Sequence, residues 1–265
     1  MSRSHGSFVW YELMTNDCAA AEAFYRGVIG WKAQDSGLPN QSYTILSAAQ
    51  TPIGGLMALP PEVRAAGGRP AWSGYILVED VDAFAARVKK AGGAIHHPPE
   101  DIPGVGRFAV VADPQGAVFM LFRGSSDMPA APTAPGTPCH AGWHELHTSD
   151  PERAFAFYSG LFGWTKDRVF DMGPMGPYQL FATGGEAVGG MMTRGEATPA
   201  PVWLYYFNVE DAAAAAARVK DHKGQVLNGP HQVLSGNWIV QCRDPQGAMF
   251  ALVAPATAME TAKGS

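Results

Sequence analysis

Trp10-Tyr11-Glu12-Leu13-Met14-Thr15-Asn16-Asp17 lies over Trp143-His144-Glu145-Leu146-His147-Thr148-Ser149-Asp150 when the chain is shifted by 133 residues. The match continues through Phe24-Tyr25 over Phe157-Tyr158 and Gly30-Trp31 over Gly163-Trp164. Farther on the offset drifts as loop lengths change. Gly54-Gly55 answers to Gly189-Gly190, and Val78-Glu79-Asp80 to Val209-Glu210-Asp211. Ala86-Arg87-Val88-Lys89 answers to Ala217-Arg218-Val219-Lys220, and Asp113-Pro114-Gln115-Gly116-Ala117 recurs from Asp244 to Ala248. Matches in one order along the whole chain mean duplication, at a period far too long for a solenoid.

Between the copies, 124–138 is rich in Pro, Ala, Ser and Gly and lacks periodicity, so it reads as a semi-extended linker. The expected domains are 5–123 and 139–255, followed by a ragged tail. With 265 residues, each copy has enough chain for its own core. A hydrophobic share of 46% excludes a wholly disordered chain, and a net charge of −5 without a basic block argues against nucleic-acid binding. Cys18, Cys139 and Cys242 are scattered and fit neither a disulfide framework nor a zinc cluster. The start of the chain has no signal-peptide pattern, and no apolar run is long enough for a membrane span. The expectation is a soluble, cytoplasmic protein of undetermined oligomeric state.

Each copy alternates strands and helices. Residues 8–14 alternate as a strand, and Asp17 caps a helix through about Val28. Asp150 repeats the cap, with Pro151 in the first helical position. Strands are predicted at 42–48, 53–59, 73–79, 107–112 and 117–122, with counterparts at 177–182, 186–193, 202–208, 238–243 and 248–253. Asp80 and Asp211 open second helices, the latter through the Ala-rich run 212–217. The Asp-Pro-Gln-Gly segments read as hairpin turns, and His96-His97-Pro98-Pro99 as a loop. The order is β-α-β-β-β twice per copy, an α+β fold.

With these motifs in place, the chain resembles the vicinal-oxygen-chelate superfamily of glyoxalase I, bleomycin- and fosfomycin-resistance proteins and extradiol dioxygenases. The resemblance rests on the opening strand ending in Asp17 or Asp150, the Phe-Tyr pair, Gly-Trp and the Asp-Pro-Gln-Gly hairpin. It implies that paired βαβββ units curl into a half-barrel around a cleft. Exchange of strands between modules or chains is common in the superfamily, so which units share a cleft stays open. In metal-dependent members the resemblance places ligands at Trp10, Ser73 and Met120, and at Trp143, Leu204 and Ala251. A further glutamate would come from 52–59 or 187–193, which hold no carboxylate. None of the side chains at those six positions except Ser73 has an oxygen or nitrogen lone pair, and a hydroxyl alone is a poor ligand for a divalent transition metal. The expectation is no metal and no cofactor.

If Trp143 faces the cleft, Glu145 and His147 face it too, as do Trp10, Glu12 and Met14 in the first copy. His144 should face away. Glu12 and Glu145 are read either as general bases or ligand anchors, or as scaffold carboxylates bonded to an indole or irregular backbone. His147 has Met14 as its counterpart, so only one copy has a titratable group there. Trp203, Tyr206 and Trp238 are further candidate ligand-binding residues. With Tyr205, Met191 and Met192 they line either a cleft or a core. Cys18 and Cys242 show no base partner, so no thiol nucleophile is expected.

Three functions follow. The first is a metal-independent glyoxalase/bleomycin-resistance-like protein binding a small organic molecule in an aromatic-lined cleft. The second is a glyoxalase-like lyase, isomerase or hydrolase using Glu145 and His147 as acid and base. The third is a structural or interaction protein whose clefts are filled by their own tryptophans. If one copy acts, the His147 difference points to the second.

Overall fold

The computed structural model describes residues 5–38, 42–125, 136–196 and 198–256. Most of the 124–138 linker and the tail after 256 lie outside the described residues. The first copy runs β1 (Phe8–Thr15), α1 (Cys18–Val28), β2 (Lys32–Asp35), β3 (Tyr43–Ala48), β4 (Thr51–Ala58), α2 (Pro61–Ala65) and β5 (Ala71–Leu77). It continues with α3 (Val81–Lys90), β6 (Ala94–Ile102), β7 (Gly106–Ala112) and β8 (Val118–Gly124). The second copy repeats the series as β9 (Ala141–Thr148), α4 (Pro151–Phe162), β10 (Thr165–Asp171), β11 (Pro177–Ala182), β12 (Ala187–Thr193) and β13 (Val202–Asn208). It ends with α5 (Ala212–Asp221), β14 (Gln225–Gln232), β15 (Trp238–Arg243) and β16 (Met249–Ala254). The fold is α+β, with four βαβββ units.

All four duplicated aspartates cap helices. Asp17, Asp80, Asp150 and Asp211 accept hydrogen bonds at 3.0, 3.0, 3.0 and 2.9 Å from the amides of Ala20, Ala83, Arg153 and Ala214. Each satisfies one of the amides that a helix start leaves without an internal partner. Among the described residues, no helix is long and apolar enough to cross a membrane.

The strands form two sheets, in the orders β2-β3-β4-β1-β5-β8-β7-β6 and β10-β11-β12-β9-β13-β16-β15-β14. One predicted feature changes. The 96–99 segment is not a loop but the middle of β6, at the edge of its sheet. Register shifts between Ile95 and His97 and between His97 and Glu100 accommodate Pro98 and Pro99. An edge position is where a strand tolerates residues without a donor amide. The short helix α2 has no predicted counterpart, and β2, β10 and β14 lie outside the predicted strand ranges.

The described residues fall into two compact units that combine halves of the copies: 5–10, 73–125, 143–196 and 198–204 form one, and 11–38, 42–72, 136–142 and 205–256 the other. In the first unit, Trp203 donates to the Tyr158 hydroxyl (3.0 Å), which donates to Asp113 (3.2 Å). Asp113 also accepts from the Gln115 and Ala117 amides at 2.9 Å each, closing its hairpin turn. At the hairpin tip, the Gln115 side chain accepts from the Asp150 amide (2.7 Å) and donates to the Asp150 carbonyl (2.9 Å). Trp164 donates to the Gly6 carbonyl (2.8 Å). Tyr158, Trp164, Phe181 and Trp203 form its aromatic core, with Trp164 stacked on Phe181 at 4.4 Å.

The second unit has the same internal arrangement. Trp72 donates to Tyr25 (2.8 Å) and Tyr25 to Asp244 (3.1 Å). Gln246 binds the Asp17 amide (2.6 Å) and carbonyl (2.7 Å), and Trp31 donates to the Cys139 carbonyl (2.7 Å). The repeated Phe-Tyr, Gly-Trp and Asp-Pro-Gln-Gly residues are thus structural: in each unit they join a half of one copy to a half of the other. Burial raises the carboxyl pKa of both Asp113 and Asp244, against the pull of the backbone amides and tyrosine.

Candidate functional site

β9 runs parallel to β12, with Glu145 opposite Gly190 and His147 opposite Met192. β11 runs antiparallel to β12, with Leu180 opposite Gly190. Alternation therefore puts Trp143, Glu145, His147, Tyr178, Leu180, Gly190 and Met192 on one face. The other face carries His144, Leu146, Phe181 and Met191 into the core of the first unit. His144 stacks on Phe8 (4.2 Å) and its Nδ1–H donates to the Val188 carbonyl (2.7 Å). Burial lowers its pKa to about 4, so it is neutral at physiological pH and faces away from the candidate site, as alternation requires.

On the first face runs a hydrogen-bonded chain. Trp143 Nε1 donates to the Tyr178 hydroxyl (2.7 Å), and that hydroxyl donates to Glu145 Oε2 (2.9 Å). Glu145 Oε1 pairs with His147 Nε2 at 2.8 Å. Glu145 is buried, while Trp143, His147 and Tyr178 are half-buried. The glutamate is thus held from two sides, and the indole acts on it through Tyr178.

The duplicated glycine makes this possible. A Cβ on Gly190 would overlap the Tyr178 ring, so glycine is what lets the phenol cross β12 and reach the glutamate on β9. Gly190→Ala is expected to displace Tyr178 and destabilise the fold by about 1–3 kcal/mol. Urea unfolding checks this, and the loss should shrink when Tyr178 is already alanine. An undiminished loss would mean that the glycine serves the backbone instead.

The first copy has the same frame. Glu12 lies opposite Gly55 and Met14 opposite Met57, and a Cβ on Gly55 would overlap the Tyr43 hydroxyl. Glu12 is buried, and Trp10 and Met14 share its strand face. In this frame, Met14 against His147 is the difference that changes chemistry.

The other candidates divide. Trp203 is buried in the aromatic core, and its indole donates to the Tyr158 hydroxyl. Tyr206, on the opposite face of β13, is buried and accepts from Gln241 Nε2 (3.0 Å). Tyr206, Ala251 and Gln241 form one row across β13, β16 and β15. Trp238 does not join that row. It lies opposite Ala254, on the face that carries Val240, Cys242, Leu252 and Phe250, and Phe250 packs on Phe24 and Tyr25 of α1. Burial raises the pKa of Cys18 and Cys139 and pushes Cys242 up to about 12, so none is a ready thiolate.

Among the described residues, no group of three or more His, Cys, Asp and Glu side chains could hold a metal ion. Glu145 and His147 make a pair, and the six positions implied by the resemblance carry Trp, Ser, Met, Trp, Leu and Ala. This donor set does not fit a catalytic zinc site, which takes three protein ligands.

Residues 7–121 and 140–252 both match the Glyoxalase/Bleomycin resistance protein/Dioxygenase superfamily, and the chain belongs to it. A Mycobacterium tuberculosis protein bearing the name "Putative glyoxylase CFP32" is 32% identical over 249 residues, 93% of this chain and 94% of that one. The Anthracycline biosynthesis protein DnrV of Streptomyces peucetius is 32% identical over 260 residues, 94% of this chain and 93% of that one. Among solved structures, the Mn(II)-bound glyoxalase from Novosphingobium aromaticivorans aligns with a TM-score of 0.64 at 16% identity, covering 96% of this chain and 83% of that one. The 2,2',3-trihydroxybiphenyl 1,2-dioxygenase from Sphingomonas wittichii aligns with a TM-score of 0.67 at 15% identity, covering 95% of this chain and 91% of that one. At these identities the structural likeness is one of fold.

Tyr178 and Tyr43 are the members of the site that sequence reasoning missed. They are duplicated, which was a usable signal, but they stand 33 and 31 residues from the glutamates they accompany.

Proposed function

We propose that the protein binds a small organic molecule, without a metal ion, on the β9–β12–β11 face around Glu145 and His147. The observation that carries this is the chain from Trp143 through Tyr178 and Glu145 to His147. It is a fixed polar group on a face otherwise made of indole, Leu180 and Met192, the mixture expected of a ligand site. The names of two relatives, a glyoxylase and an anthracycline biosynthesis protein, lend support by pointing to small-molecule chemistry.

A second reading, acid–base catalysis, is favoured by one feature of the same chain. Glu145 Oε1 on Nε2 fixes the His147 ring, and whenever that ring is neutral it keeps the proton at Nε2 and leaves the Nδ1 lone pair to take one, the role of the orienting acid in a catalytic dyad.

The test is a thermal-shift screen of a metabolite library, with and without chelator. A ligand at one hundred times its Kd adds about 2.7 kcal/mol of apparent stability. The expected hits persist in chelator, vanish in His147→Met and survive in Met14→His. Hits that need added metal, or about one tightly bound transition metal per chain by elemental analysis, would overturn the metal-free reading.

A further inference from the structure

We infer that the molecule bound on this face carries a carboxylate, and that Arg194 holds it through the Nε–Nη2 edge of its guanidinium. The inference rests on the binding reading above and adds the charge of the ligand and the residue that recognises it.

Arg194 carries β12 on by one residue. Its amide donates to the Thr148 carbonyl (2.8 Å), which extends the parallel ladder with β9. Alternation then puts Arg194 on the face of Gly190 and Met192, beyond His147, while Thr193 on the opposite face is exposed. The side chain folds over the turn that follows. Nη1 donates to the Thr198 carbonyl (2.8 Å), and the turn is closed by the Thr198 amide on the Gly195 carbonyl (3.0 Å). Nη1 lies on the Cδ side of the guanidinium, so this bond leaves the other edge intact, where Nε–H and one Nη2–H point the same way. Nε is buried, and among the described residues neither Nε nor Nη2 bonds a protein group.

A buried donor without an acceptor is costly, and two parallel N–H groups match the two oxygens of a carboxylate. One guanidinium balances one negative charge. A phosphate dianion would leave charge uncompensated on a face that already holds the Glu145 carboxylate. The rest of the molecule lies over Met192 and Leu180, the half-buried apolar side chains next along the face. The matching residue of the first copy is Leu59, whose amide bonds the Thr15 carbonyl in the same way (2.7 Å). The first copy thus has the ladder without the cation, and recognition of the acid belongs to the second copy. This recognition holds for either charge state of His147.

The probes are octanoate and octanamide, which differ only in the headgroup. Binding is followed by NMR titration of the full chain, labelled with nitrogen-15 in arginine and tryptophan side chains. We expect octanoate to bind wild type at least about tenfold more tightly than octanamide and to shift the Arg194 Nε–H resonance. In Arg194→Leu, which installs the residue of the first copy, octanoate should fall to the level of octanamide. Arg194→Lys keeps the charge without the planar edge and should recover only part of the loss. Equal affinity of the two probes for wild type, octanoate binding unchanged in Arg194→Leu, or Arg194→Lys as good as wild type overturns the inference. A Trp143 indole resonance that still moves in any of these cases leaves the binding reading standing. If neither probe binds wild type the inference falls, while the metabolite screen still decides the binding reading.

Discussion

Asp113→Ala is expected to lower stability by about 2–4 kcal/mol, while Asp113→Asn costs about 1 kcal/mol or less. Asp113 is almost fully buried and holds three donors: the Gln115 and Ala117 amides on one oxygen and the Tyr158 hydroxyl on the other. Alanine leaves the turn amides and the phenol without their acceptor, and the Trp203 indole loses the oriented hydroxyl it bonds. Asparagine keeps one oxygen for the turn and removes a carboxylate that burial already disfavours, as its raised pKa records. Asp244→Ala should cost a similar amount in the second unit, where Asp244 takes the amides of Gln246 and Ala248 and the hydroxyl of Tyr25. Urea unfolding of the three variants checks this. Alanine variants within about 0.5 kcal/mol of wild type would mean that these aspartates do not hold the units together.

The same aspartates show how far the sequence could be read. The duplication exposes Tyr25, Tyr158, Asp113 and Asp244 as matched residues, but identical repeats are ambiguous about partners. Tyr25 could meet the aspartate of its own copy or of the other, and it meets Asp244, 219 residues away. Helix starts were legible because capping is local: all four aspartates act within three residues of themselves. β13 was hard for the opposite reason. Its sequence Val-Trp-Leu-Tyr-Tyr-Phe-Asn is buried on both faces, so alternation leaves no trace of which face holds Trp203 and its Tyr158 partner.

At the candidate site, Trp143, Glu145 and His147 were found together because a period of two within one strand fixes their face. Tyr178 could not be found that way. Its reach to Glu145 depends on the β11–β12–β9 register and on the space above Gly190, which are properties of three strands at once. The sequence did show Gly189-Gly190 as repeated. A glycine pair inside a strand signals close approach by another group, although it does not say which group.

Between about pH 6.5 and pH 4 the fold should lose roughly 3 kcal/mol through His144. Its pKa falls from the ordinary 6.5 to about 4, because burial opposes the charged ring more than the Val188 carbonyl favours it. In that interval the unfolded chain binds a proton that the folded chain refuses. Stability is therefore complete above the ordinary value and declines as the pH drops toward the folded one. Asp113 and Asp244 act with the opposite sign, since their raised values mean that acidification relieves the cost of burying them. The total stability curve mixes these effects, so the difference between wild type and His144→Phe is the informative quantity. Phenylalanine keeps an aromatic ring against Phe8, as Tyr11 supplies one at the matching position of the first copy, and it cannot take up a proton. Near pH 7 the variant should be the less stable, by about 1–3 kcal/mol for the lost bond to Val188. As the pH falls toward 4, the wild type should converge on it and reach or pass below it. Urea midpoints across this range decide the matter: two curves that stay parallel would show that the folded chain takes up the His144 proton as readily as the unfolded one, against its burial behind the candidate site.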